Sequence, residues 1–224
     1  METTLEVRWF VKGMPPAVVQ RWFKFECPGK LLEKSETRED WYVYQKKDYL
    51  NELCKFSSRK LNREEINLKL RQGNLELKLR RQKFGIHGFG HLKQSPICEG
   101  KVEQWCKFGE QELKDFSLPA RDLLPETSWI SVDKEREQKI EQGVESELTC
   151  LRINNDRWWS IAFEMTQNDR DLQQDRRFKE RVEKACQTYY GPKLSATNSY
   201  SYSRWLLEFE PQAIPYQKLG IKSL

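Results

Sequence analysis

The segment Ile66–Arg80, INLKLRQGNLELKLR, constrains the fold of this chain more than any other. Ile66, Leu68 and Leu70 alternate with Asn67, Lys69 and Arg71. After Gln72-Gly73-Asn74, Leu75, Leu77 and Leu79 alternate with Glu76, Lys78 and Arg80. Successive side chains of a strand point to opposite faces, so the pattern predicts a β-hairpin with one apolar and one charged face. In the turn, Gly73 supplies a positive φ at little cost and Asn74 tolerates one. The functional question is where the charged face points. Turned to water it says little; turned into a barrel it is an anion-binding surface.

The same alternation recurs along the chain. Leu5, Val7 and Trp9 alternate with Glu6, Arg8 and Phe10, and Trp41–Gln45 and Lys101–Phe108 are further strand candidates. Trp129–Ile140 sets Ile130, Val132, Lys134 and Arg136 on one face, and Glu145–Ile153 does the same with Glu147, Thr149, Leu151 and Ile153. After an Asn154-Asn155-Asp156 turn, Trp158–Thr166 sets Trp159, Ile161, Phe163 and Met165 against Trp158, Ser160, Ala162, Glu164 and Thr166.

Helical spacing appears three times. Pro15-Pro16 opens a short helix with Val18, Val19, Trp22 and Phe23 on its apolar face. Asn168 or Asp169 caps a second that runs to about Tyr189 and buries Phe178, Val182, Ala185, Cys186 and Tyr189. Ser199–Glu208 reads as a last short helix. Phe84–Pro96, with Gly85, Gly88 and Gly90, reads as a flexible connection, because no Lys-Ser/Thr follows to make it a phosphate loop. Leu113–Pro125 reads as a loop and 211–224 as a peripheral tail. No composition break marks a linker, so one domain over residues 1–224 is expected.

Composition narrows the function. The charged fraction of 33% exceeds the usual quarter, and 8 Trp, 8 Tyr and 11 Phe argue against disorder. The net charge of +5, from 39 basic and 34 acidic residues, permits an anionic ligand without the basic concentration of a nucleic-acid binder. The six cysteines form no CxxC pair, and His87 and His91 have no cysteine at zinc-finger spacing, so no structural zinc is expected. No Ser-His-Asp or Cys-His set can be assigned. The chain runs from Met1-Glu2-Thr3-Thr4 straight into a strand, with no signal peptide and no apolar run fit to cross a bilayer. The expectation is a cytoplasmic protein with reduced thiols.

An antiparallel sheet with its polar face in water shows the same alternation, so alternation alone does not decide where the charges point. Two details favour the inside. The opposite face carries Trp9, Leu68, Leu77, Trp159 and Phe163, which need cover, and the two longer helices can supply it. The lumen of such a barrel then holds Lys, Arg and Glu. That is unfavourable unless they pair with each other or with a multivalent anion. Arg offers forked donors and Lys a point charge, which suits phosphate.

The order of these short motifs resembles the CYTH family, the triphosphate tunnel metalloenzymes. Thr4-Leu5-Glu6-Val7-Arg8 is similar to the family's opening strand of alternating acids ending in Lys, with Glu6 and Arg8 matching and Thr4 departing. Lys69-Leu70-Arg71 resembles its Arg-x-Arg strand, Glu76-Leu77-Lys78 the adjacent strand ending in Lys, and Val132-Asp133-Lys134-Glu135-Arg136 a later basic strand. Ala162-Phe163-Glu164 matches the second acidic strand only through Glu164, and Asn198-Ser199-Tyr200 through Leu206 is similar to the closing Ser-Tyr helix start. The resemblance implies an α+β fold: an antiparallel tunnel-like β-barrel of about eight strands with helices packed outside. It implies a phosphorylated or polyphosphate anion held by Arg8, Lys69, Arg71, Lys78, Arg80, Lys134 and Arg136. It also implies Mg2+ or Mn2+ on Glu6, Glu147 and Glu164. Thr4 and Ala162 stand where acids are expected, so the basic set is kept better than the acidic one. Anion binding by a degenerate tunnel is therefore the first reading. A metal-dependent triphosphate hydrolase and a non-enzymatic protein-interaction domain with solvated charges are the alternatives. The sequence leaves the natural ligand and the oligomeric state open.

Overall fold

A computed structural model describes residues 2–32, 35–44, 60–92, 95–109, 112–113, 128–167 and 172–209. The tail 211–224, nearly all of Leu113–Pro125 and the capping positions Asn168 and Asp169 lie outside them.

The nine strands among the described residues are β1 (Glu2–Lys12), β2 (Lys30–Leu31), β3 (Glu36–Tyr44), β4 (Ile66–Arg71), β5 (Asn74–Leu92), β6 (Ser95–Phe108), β7 (Ser128–Glu141), β8 (Val144–Ile153) and β9 (Asp156–Gln167). The described helices are α1 (Ala17–Phe25), α2 (Leu172–Gln187) and α3 (Tyr202–Leu206). Eight strands close an antiparallel barrel in the order β7-β3-β4-β5-β6-β1-β9-β8, with β8 pairing back to β7, and the short β2 is added outside β7. Closure removes the free edges that an open sheet would expose. Among the described residues no helix is long and apolar enough to cross a membrane.

The alternation in the sequence sorts into an outside and an inside. Outside β1, β8 and β9, the residues Leu5, Val7, Trp9, Leu148, Ile161 and Phe163 pack under α1 and α2 through Val19, Trp22, Phe23, Phe178 and Val182. Val18 turns away from this face and is 37% exposed. Outside β4–β6, Leu68, Leu70, Leu77, Leu79 and Phe108 join Leu61, Leu113 and Trp129 in a second cluster. The third apolar cluster is inside the barrel. Phe10, Tyr42, Ile130, Val132, Leu151 and Ile153 meet Tyr202, Trp205 and Leu206 of α3, which closes one end. Trp158 and Trp159 split as strand neighbours must, with Trp159 in the outer core and Trp158 against the closing helix.

Two local expectations are corrected. In the β4–β5 hairpin the positive φ values fall on Gln72 (49°) and Gly73 (82°), while Asn74 is already in the strand. Two successive residues in that region give the hairpin turn whose twist matches the flanking strands. The glycine-rich stretch, expected as a flexible connection, is paired strand: β5 continues beside β6 to Leu92↔Ser95. Gly90 is required by packing, since a Cβ there would lie 2.5 Å from the Cys186 carbonyl carbon of α2.

Candidate functional site

The lumen between the open mouth and α3 is a cavity of about 360 Å³. Its wall follows from strand parity. β1 contributes Glu6 and Arg8, β3 Arg38, β4 Lys69 and Arg71, β5 Glu76 and Lys78, β7 Lys134 and Arg136, β8 Glu145 and Glu147, and β9 Glu164. Six of the basic residues expected from sequence (Arg8, Lys69, Arg71, Lys78, Lys134 and Arg136) line this one space. Lys134 keeps the parity of Ile130 and Val132 with no bulge in the β3–β7 pairing, and those two residues form part of the apolar floor.

Arg80 lies elsewhere. It is buried, donates to Glu103 at 3.0 Å, contacts Glu65 at 3.3 Å and sits 5.8 Å from the Trp105 ring centre. Register shifts in β5 follow at Arg80/Gln82 and Lys83/Gly85, and Arg80 lines a second cavity rather than the lumen.

The cations are held by carboxylates of the same wall. Arg8 donates to Glu6 at 2.9 Å and to Glu147 at 2.8 Å, and Arg136 reaches the other Glu147 oxygen at 3.1 Å. Thr149 donates to Glu147 at 2.7 Å. Lys78 bridges Glu164 at 2.8 Å and Glu6 at 3.7 Å. Lys69 meets Glu76 at 3.0 Å, and Arg71 meets Glu36 at 2.9 Å. Asp40, fully buried, holds Lys134 at 2.8 Å and Arg38 at 3.1 Å. At the floor, the Tyr42 and Tyr202 rings stack 5.6 Å apart. The Lys134 ammonium lies 4.0 Å and the Arg8 guanidinium 4.7 Å from the Tyr202 ring centre.

These contacts set the ionisation of the wall. Burial opposes the charge on Glu147, yet Arg8 and Arg136 outweigh it and hold the carboxyl well below its usual range. Asp40 is likewise held at about 2, with burial overcome by Lys134, Lys69 and Arg38. In Lys69 and Lys134 burial prevails over the opposite charges. Burial lowers both to about 8, and Lys134 adds its repulsion to Lys69. Glu145 is raised by burial and then by the neighbouring Glu164.

Glu6, Glu147 and Glu164, the expected metal ligands, stand in the lumen wall with their oxygens engaged by Arg8, Lys78 and Arg136. Among the described residues no three His, Cys, Asp or Glu side chains are grouped to hold a metal ion. As paired, the carboxylates fit the role of counter-ions and do not fit a ready-made Mg2+ or Mn2+ site.

Sequence reasoning missed Arg38, Asp40 and Glu36, because the second strand was expected to begin at Trp41. In ETRED both faces are polar, so no alternation announces the strand. It also missed Glu145, although that residue shares the parity of Glu147, and it missed the floor residues Tyr42 and Tyr202.

No protein-family model matches the chain, and no curated protein matches it. Solved structures of similar shape include a protein from Vibrio parahaemolyticus provisionally described as an adenylate cyclase. It has 11% identity and a TM-score of 0.44, covering 96% of this chain and 97% of that one. A Bacillus halodurans protein with the same provisional description has 12% identity and a TM-score of 0.39, covering 86% and 95%. A chain of the Schizosaccharomyces pombe Mediator head module has 10% identity and a TM-score of 0.43, covering 80% and 90%. Likenesses at this level decide nothing about function, so the reading of the site rests on its own geometry.

Proposed function

We propose that the lumen binds a phosphorylated or polyphosphate anion that enters from the open mouth. The observation that carries the reading is the convergence of Arg8, Arg38, Lys69, Arg71, Lys78, Lys134 and Arg136 on one cavity closed at its far end. With Lys107 and Glu2 included, the cavity wall carries eight basic and six acidic side chains, and Glu36 and Asp40 bring the acids level. The ligand-free lumen is therefore internally neutralised. An incoming anion has to exchange with the carboxylates, taking Lys and Arg donors that Glu now occupies. Arg71 and Lys69, partly exposed in the wall, are natural first contacts, whereas Lys134 is buried at the floor beside Tyr202.

Mg2+ or Mn2+ has no preassembled set in this pairing. Carboxylates released by an anion, Glu6 and Glu164 first, are the residues that would hold it, and the charge it supplies would neutralise phosphate oxygens.

Titration with tripolyphosphate, with and without Mg2+ or Mn2+, followed by phosphate release from the same samples, tests the reading. Saturable binding without release is expected. Metal-dependent release would make the protein a triphosphate hydrolase. No binding at low salt, where attraction between charges is least screened, would overturn the proposal. Lys69→Ala and Arg71→Ala should each weaken binding by about ten-fold, the size of a lost charge-assisted contact. Neither should unfold the protein, because both side chains are partly exposed, at 14% and 27%. Unchanged affinity in both variants would point the charged wall away from any anion.

A further inference from the structure

A second cavity, about 740 Å³ and larger than the lumen, lies apart from it. It arises where the barrel comes apart. β1 and β6 pair from Glu2↔Lys107 to Glu6↔Glu103 and then separate. β1 continues beside β9 to Lys12↔Trp158, while β6 follows β5 away as a two-stranded arm. The chain at 194–200 crosses the split as a strap. Glu99 N–H donates to the Leu194 carbonyl at 2.7 Å, Lys101 N–H to Ser199 Oγ at 2.8 Å, and Tyr200 N–H to the Arg8 carbonyl at 3.2 Å. The strap joins the two edges without filling the space between them.

The walls of this space differ in chemistry. One is aromatic: Phe10 and Tyr200 stack 5.4 Å apart at 9°, and Trp158 lies beside them with its indole N–H unpartnered. The other is cationic. Lys83 and Lys101 line it from β5 and β6, both exposed and neither ion-paired among the described residues. The register shifts in β5 make this possible. Arg80 and Lys83 are three residues apart and would face opposite sides of a regular strand, yet both line the cavity. Arg80, paired with Glu103, forms the inner wall, and Glu103 sits opposite Glu6 of the lumen.

We propose that this seam cavity is a second binding site, for a small anion that carries a flat aromatic ring. The ring lies along Trp158 and Tyr200, and the anionic group meets Lys83 and Lys101. The volume is in the range of small-molecule sites. Glu64, Glu103 and Glu208 also line it, but Arg80 and Arg204 pair with them, so Lys83 and Lys101 beside the rings favour a ligand with both parts. The proposal does not depend on the function of the lumen.

The test is a calorimetric titration of the full chain with 1-naphthyl phosphate, beside 1-naphthol and inorganic phosphate, with Trp fluorescence followed in parallel. Naphthyl phosphate should bind saturably, and the other two at least about ten-fold more weakly, since each lacks one half of the recognition. The double variant Lys83→Ala/Lys101→Ala, at exposed positions that do not threaten folding, should lower affinity by about ten-fold. Tyr200→Leu should lower it too and leave inorganic phosphate unaffected. Equal binding of inorganic phosphate would reduce the site to exposed charge and overturn the proposal. Loss of naphthyl phosphate binding in Lys69→Ala/Arg71→Ala would place the ligand in the lumen and overturn it as well. Absence of saturable binding would do the same.

Discussion

The two halves of the barrel interior are made by the same strands and filled with opposite chemistry. Along β7 the inward residues run Arg136, Lys134, Val132, Ile130, and along β8 they run Glu145, Glu147, Thr149, Leu151, Ile153. β1 passes from Glu6 and Arg8 to Phe10, and β3 from Glu36, Arg38 and Asp40 to Tyr42. One half is an ion-pair lattice around a cavity; the other is an apolar, largely aromatic plug around Trp205. The difference separates the interactions that stabilise the fold from those available to a ligand. The plug closes the barrel by packing, and the lattice holds donors in place that a ligand can take over.

The largest expected effect breaks the lattice at its deepest point. Asp40→Ala leaves Lys134 without its carboxylate and Arg38 with only Glu36, and both cations are buried. Removing one partner of a buried pair typically destabilises by about 4 kcal/mol. The double variant Asp40→Leu/Lys134→Met extends the plug chemistry into the lattice. It should recover most of that loss while giving up anion affinity, because apolar replacements of a buried pair are often neutral. Urea midpoints of both variants check this. A double variant no more stable than Asp40→Ala would show that the lattice is structural in its own right.

Next in size, Trp205→Ala in the plug removes a fully buried indole stacked 4.7 Å from Phe10, a loss of about 3 kcal/mol. Trp205→Phe should lose much less, because the indole N–H has no partner whose loss would matter. Thermal unfolding separates the two. Equal losses would mean that the N–H does make a bond.

Acid acts on the lattice and spares the plug. Asp40 and Glu36 are held at about 2, below their unfolded values near 4. Their stabilisation is therefore complete above about pH 5 and lost as the pH falls through about 2. Glu147, Glu164 and Glu76 are shifted the same way, while Glu103 and Glu145 are raised and oppose them. The lowered groups are the majority, so stability should fall on acidification, and Asp40→Leu/Lys134→Met should show a shallower fall. The same slope in both proteins would move the acid-sensitive groups outside this pair.

The contrast between the halves also explains what could be read from the sequence. Where one face is apolar and the other charged, as in Ile66–Arg80, the strand, its parity and its inward residues were legible, because burial imposes a period of two. Where both faces are polar, as at Glu36–Asp40, that period vanishes and the strand with its lumen residues went unseen. Arg80 failed for a different reason. Its parity is right for the lumen up to the bulge, and nothing in RRQKFG marks the shift that follows. The Gly-rich arm misled because Gly90 serves close packing on α2, which a local reading cannot distinguish from flexibility.

The smallest effect is a change of slope, and it tests whether the lattice is tuned for an anion. Lys69 and Lys134 are held at about 8 in the free lumen. Lys69 faces Lys134 and Lys78 as like charges and Glu76 and Asp40 as opposite ones. A bound polyanion favours the protonated amines, so binding takes up protons around pH 8. Affinity is then full at lower pH and declines as the pH rises beyond it. Lys69→Arg keeps its charge throughout this range, because a guanidinium does not titrate below about pH 12. Affinity at neutral pH should change little, and the alkaline decline should become shallower by about half, since one of two titrating cations is fixed. Calorimetry of tripolyphosphate binding in buffers of different ionisation enthalpy counts the protons directly. If neither Lys69→Arg nor Lys134→Arg changes that count, the two lysines are charged before the ligand arrives, and the lattice is a rigid set of ion pairs rather than one poised for an anion.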